Sequence, residues 1–156
     1  MLDYSFFENI PDTDGSLFKT KPLNDGVMIV DYIGRDNMVK IPEAIDGKPV
    51  LSTVALSTGD LWPVRKIFIP STVQIIVGNI REKEWLDSVC ISPDNKYLVN
   101  HEGILMTADK RVAIMLCDNS VADVVLPEET KIIYPYAFWQ ACDVRSIFTD
   151  HQKLPK

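Results

Sequence analysis

Short apolar runs recur along this chain, and within several of them every second residue is apolar. Ile67 and Ile69, Val89 and Ile91, and Val124 and Leu126 flank Phe68, Cys90 and Val125. That is the period of a strand with one buried face. Three of the runs end in the same way, as Lys40-Ile41-Pro42, Phe68-Ile69-Pro70 and Val125-Leu126-Pro127. Proline brings no N–H to a strand ladder, so it stops the strand and turns the chain. A second apolar run follows each turn, over residues 49–54, 73–77 and 131–134. A compact segment comes next, clearest in Pro135-Tyr136-Ala137-Phe138-Trp139-Gln140-Ala141-Cys142, with room for a helical turn or two. The predicted unit is therefore strand, proline turn, short strand, compact return.

Cys90-Ile91-Ser92 and Phe148-Thr149-Asp150 extend the series as degenerate copies, with anchor positions at 41, 69, 91, 126 and 149. The spacings of 28, 22, 35 and 23 fit a unit of 22 or 23 residues carrying two insertions. The first falls in the turn signal Asp46-Gly47-Lys48-Pro49, the second between Ser92 and Asp118, where turn residues cluster. Such a unit cannot bury its apolar face alone, and stacking supplies the partner. The expected core is one continuous stack containing Ile69, Ile75, Ile91, Leu126, Ile132 and Phe138.

Val124 to Ile133, then Ala137-Phe138 and Cys142-Asp143-Val144-Arg145-Ser146-Ile147, resemble the BspA-like leucine-rich repeat of bacterial proteins, whose unit reads approximately IPxxVxxIxxxAFxxCxxLxxI. Residues 26–34 and 41–50 resemble that family's opening module, and residues 93–105 a β-hairpin found between its repeats. The Ala-Phe-x-x-x-Cys signature survives only at Ala137, Phe138 and Cys142; Ala55-Leu56-Ser57-Thr58-Gly59 and Gly78-Asn79-Ile80-Arg81-Glu82 replace it earlier. The resemblance implies a β-rich α/β solenoid, a short leucine-rich-repeat stack of the right-handed β-α superhelix type with an inserted β-hairpin. Residues 1–25 form an N-terminal cap or extension, 26–150 the repeat domain of about four units with its insertion at about 92–118, and 151–156 a tail. The propeller-blade look of Ser92 to Leu98 carries no weight, because a propeller needs several copies and one is present.

Composition narrows the function. The 156 residues suit one domain, and 16 basic against 22 acidic residues give a net charge of −6, a field that repels phosphate backbones and argues against nucleic acid as a partner. No apolar stretch reaches the roughly 20 residues of a membrane span, so no membrane insertion is expected. Asp3 and Glu8 stand where a signal peptide would be basic and then apolar. If Met1 is the native start the expected location is cytoplasmic; a removed leader would place the protein at the cell surface or outside.

Cys90, Cys117 and Cys142 are odd in number, with no CxxC, so buried reduced thiols are expected rather than a disulfide framework or zinc site. Asp12-Thr13-Asp14-Gly15 lacks the later ligands of a calcium loop and reads as a polar turn. His101 and His151 have no ligand-spaced companion, and Trp62, Trp85 and Trp139 read as core. No nucleophile motif, Walker loop or dinucleotide fingerprint occurs. The expectation is a non-catalytic protein-interaction module without cofactors, with a protein partner or self-association. The alternative is a small-ligand or enzymatic site built from loops.

Alternation also places the candidate surface. If the residues on either side point inward, Phe68, Cys90 and Val125 point outward, and stacking aligns Phe148 with them. An apolar stripe of this kind on an open face marks a contact site. The competing expectation is that the N-terminal segment with Tyr4, Phe6 and Phe7, or the inserted hairpin, folds over it.

Overall fold

The computed structural model describes residues 5–54, 64–77, 88–117, 123–134, 137 and 146–149, with backbone alone for 5, 6 and 146–149. A four-residue helical turn, α1 (Ser5–Glu8), and a 3-10 turn (Gly15–Leu17) precede β1 (Phe18–Pro22) and β2 (Val27–Tyr32), an antiparallel pair at the start of the stack. The repeats then supply two strand ladders. In the first, β3 (Met38–Lys40), β6 (Lys66–Ile69) and β8 (Ser88–Ile91) lie parallel, with Val39, Ile67 and Val89 on one rung and Lys40, Phe68 and Cys90 on the next. Ile41 donates its N–H to Phe68 O and Ser92 to Ile69 O. The anchors 41, 69 and 91 are thus in register, as the repeat spacing requires. Further along, β12 (Asp123–Leu126) and β14 (Ser146–Thr149) pair in parallel with Leu126 opposite Thr149.

In the second ladder β2, β5 (Lys48–Val54) and β7 (Ile75–Val77) run parallel, with Thr53 opposite Ile76. The two-residue β4 (Ala44–Ile45) folds back on β5 through Asp46-Gly47, both at positive φ, as a type I′ hairpin turn demands. The predicted first insertion is this turn.

The second insertion is larger than one hairpin. Strands β9 (Leu98–His101) and β10 (Ile104–Thr107) pair across Glu102-Gly103, again both at positive φ, and β11 (Val112–Leu116) adds to β10. Parallel pairing with β13 (Ile132–Ile133) makes β11 part of the repeat stack as well. Asn95 ties this insertion to the preceding coil: its side-chain amide donates to Pro70 O at 2.8 Å and Val73 O at 2.9 Å, and its carbonyl accepts from the N–H groups of Tyr97 and Leu98.

The core is divided, contrary to the single stack expected. One cluster joins Ile41, Ile67, Ile69, Val73, Ile76 and Val89 to Leu105, Ile114 and Cys117, while Ile104, Met106, Ala113, Val124 and Leu126 form another. Strand pleating is the reason, because Leu105 and its neighbours Ile104 and Met106 face opposite sides of β10. Two further expectations fail. Ile75 is 46% exposed, whereas Ile76 is 5% exposed and fills the core; Ile132 is 55% exposed. Ile91 is half-buried, and Phe138 lies outside the described residues, as do Cys142 and the three tryptophans. The segments in which helical returns are expected are also mostly outside them. Among the described residues, no helix is long and apolar enough to cross a membrane.

Candidate functional site: a groove beside the N-terminal segment

Each strand of the first ladder ends in a turn, opened by Pro42, Pro70 or, in the third coil, Ser92. Val73 donates to Pro70 O and Asn95 to Ser92 O across the second and third of these turns. Stacking brings the turns side by side, so the residues that follow those openings gather at one edge. Glu43, Ser71 and Asp94 therefore line a groove of about 390 Å³, together with Asp12, Lys40, Ile41 and Phe68. Ser71 Oγ donates to Glu43 Oε1 at 2.8 Å, Thr72 Oγ1 to Glu43 O at 3.3 Å, and Asp94 N to Ser92 Oγ at 3.2 Å, which fixes the rim.

The groove's charge is lopsided. Among the described residues, three carboxylates line it, from Asp12, Glu43 and Asp94, and Lys40 is its one basic residue. The Lys40 ammonium already donates to Phe7 O at 3.0 Å and Ile10 O at 2.9 Å and lies 3.9 Å from Asp12 Oδ1. The Lys40 backbone is held too, donating to Thr13 Oγ1 and accepting from Thr13 N, both at 2.9 Å. Asp12-Thr13-Asp14-Gly15 is accordingly a structural turn. The Asp14 carboxylate caps the following 3-10 turn by accepting from Ser16 N, which lowers its pKa.

The predicted stripe needs correction at two of its four positions. Phe68 and Cys90 do face away from the main core, but they are only 5% and 6% exposed. Phe7, fully buried, lies on them with its ring 5.5 Å from that of Phe68, Ile10 packs beside it, and the Lys40 ammonium sits 5.3 Å above the Phe68 ring. The physical reason is that an apolar rung gains more from a ring placed over it than from contact with water. Val125 is half-buried and stands opposite Phe148 in the β12–β14 pair; the Phe148 side chain lies outside the described residues. Tyr4 and the Phe6 side chain lie outside them as well.

Sequence reasoning missed Lys40, Glu43, Ser71 and Asp94 as neighbours. The signal was present: Lys40 takes the place of Phe68 in the repeated tripeptide, and Glu43 and Ser71 each follow the turn proline. Cys90 and Cys117 are both buried. His101 sits at the end of β9 with Nε2 3.9 Å from the Glu102 carboxylate and takes no part in the groove.

This architecture is shared with known proteins. The leucine-rich repeat protein of T. pallidum superposes with a TM-score of 0.55 at 22% identity, over 88% of this chain and 71% of that one. A leucine-rich repeat protein from Eubacterium ventriosum superposes with a TM-score of 0.57 at 18% identity, over 76% of this chain. The match spans 32% of the E. ventriosum protein's own length. The chain is thus a β-solenoid of about four turns that resembles bacterial leucine-rich repeat proteins. No protein-family model matches it, and no curated protein does.

Proposed function

We propose that this chain is a non-catalytic protein-interaction module of the leucine-rich-repeat kind, with repeats of the bacterial BspA-like type wound as a right-handed β-α superhelix. The carrying observation is the groove at the turn edge, where three successive coils and the N-terminal segment converge. Its three carboxylates against one engaged lysine favour a partner protein that presents a basic surface, and the net charge of −6 steers such a partner toward it. Nucleic acid and membrane are not the partners in this reading, and no cofactor takes part.

The test is capture of a partner from the native organism by the intact chain, followed by charge reversal at the exposed rim. The double substitution Glu43→Lys and Asp94→Lys is expected to weaken capture by about tenfold or more and to flatten its salt dependence. Capture by the reversed chain with unchanged affinity and unchanged salt dependence would overturn the reading. A second reading, a small cationic ligand, is favoured by one observation: about 390 Å³ lies within the size range of ligand pockets. Thermal-shift screening with small cationic metabolites separates it from the first.

A further inference from the structure

The N-terminal segment touches the repeats in a form that is itself a recognition event. Phe7 and Ile10 are three residues apart, on one side of a single turn closed by the bond from Ile10 N to Phe7 O. Both face the rung of Phe68 and Cys90, in a cluster separate from the two main cores. One lysine, Lys40, accepts the end of this turn by donating to both of its carbonyls. The ring sits in an apolar pocket while the backbone is read through its carbonyls, so the site selects side chains at two positions only.

We infer that the pocket formed by Phe68 and Cys90 and closed by Lys40 is a peptide-recognition site for a one-turn segment carrying an aromatic residue and an apolar residue three positions later. The chain's own residues 5–10 are its resident competitor. This rests on the protein-interaction reading above and names the segment by which a partner engages the same region, since Lys40 and Phe68 also line the acidic groove. A tethered competitor acts at an effective concentration of about millimolar. Weak partner segments are therefore excluded, and a segment that gains further contacts along the groove displaces it.

The experiment uses the full chain with Phe7→Ala, which removes the resident ring without touching the repeat cores, and a fluorescent peptide copying residues 3–14 as the probe. The Phe7→Ala chain is expected to bind this peptide saturably, and to bind a peptide with Phe7→Ala about tenfold more weakly or worse. The unsubstituted chain is expected to bind the first peptide at least about tenfold more weakly than the Phe7→Ala chain does, because of the tethered competitor. A folded Phe7→Ala chain that binds neither peptide, or binds both alike, overturns the inference.

Should Phe7→Ala fail to fold, alkylation of the unsubstituted chain decides. Cys90 should react at least about tenfold faster than Cys117, which lies in the main core, and excess peptide should slow Cys90 alone. Equal rates, or rates indifferent to peptide, overturn the proposal. Charge-sensitive partner capture does not depend on Phe7. Its persistence beside failed peptide binding would sink the pocket alone, whereas loss of charge-sensitive capture would sink the interaction reading itself.

Discussion

The two strand ladders of this solenoid treat their outward sides differently. In the first, Phe68 and Cys90 point away from the main core and are nonetheless buried, because Phe7 closes over them. In the second, Ile75 and Val77 point outward and stay exposed, and in the neighbouring sheet both residues of β13 are exposed as well. Both ladders are built from similar apolar runs, so the repeat does not account for the difference. What covers the first ladder is a segment outside the repeat, fastened by a lysine that replaces an apolar residue at one rung. A repeating sequence thus makes a surface, and a non-repeating addition decides whether that surface is open.

The sharpest way to break this comparison is to truncate neighbouring residues of β7. Ile76→Ala should cost about 2–5 kcal/mol in urea denaturation, as for other buried isoleucines, and Ile75→Ala less than about 1 kcal/mol. The reverse order would mean that the second ladder is turned over. Phe7→Ala should cost about 1.5–3 kcal/mol, the contribution of transferring a ring from water, with no cavity penalty because the segment can lift away. A loss near 5 kcal/mol would instead make the segment part of the folding core.

Asn95→Ala should cost about 1–3 kcal/mol by removing the side-chain donor shared by the carbonyls of Pro70 and Val73, of which Pro70 O keeps only the longer bond from Val73 N. Asn95→Asp should be no better, because a carboxylate repels the same two carbonyls; equal stability of all three chains would sink the bridging role. The smallest effect concerns Tyr32, the last residue of β2. Burial pushes its phenol up to about 12 from 10, with the Asp36 N–H opposing the shift and the Asp36 carboxylate adding to it. The folded state prefers the protonated phenol, so this contribution is complete below pH 10 and is lost as pH rises through about 12. Tyr32→Phe should flatten the stability profile between pH 10 and 12, and an unchanged alkaline slope would argue against the assignment.

How much was legible in the sequence differs between the same two ladders. Around Ile67, Ile69, Val89 and Ile91 the β-branched residues alternate with Phe68 and Cys90 and the repeated anchors gave the register, and the observed pairing of 69 with 91 agrees. Over Ile75-Ile76-Val77 every position is apolar and β-branched, so no period exists to choose the inward residue. Ile75 was expected inside, and Ile76 is. Of the candidate site, the outward phase of Phe68 and Cys90 was legible, but its covering was only one of two expectations. Of the groove, only the repeat positions of Lys40, Glu43 and Ser71 were legible; its assembly was not, because Asp12, Glu43, Ser71 and Asp94 belong to four segments that meet only after the coils stack.

By itself, then, the sequence determined the repeat, its turns and the register of the first ladder, since these follow from local periodicity and from the missing N–H of proline. Only the tertiary structure decided that Ile76 rather than Ile75 turns inward, that β10 divides the core in two, and that Phe7 lies on the Phe68 rung under the hold of Lys40. Those outcomes depend on contacts between segments about 15 to 60 residues apart, where packing chooses among arrangements that local pattern leaves equal.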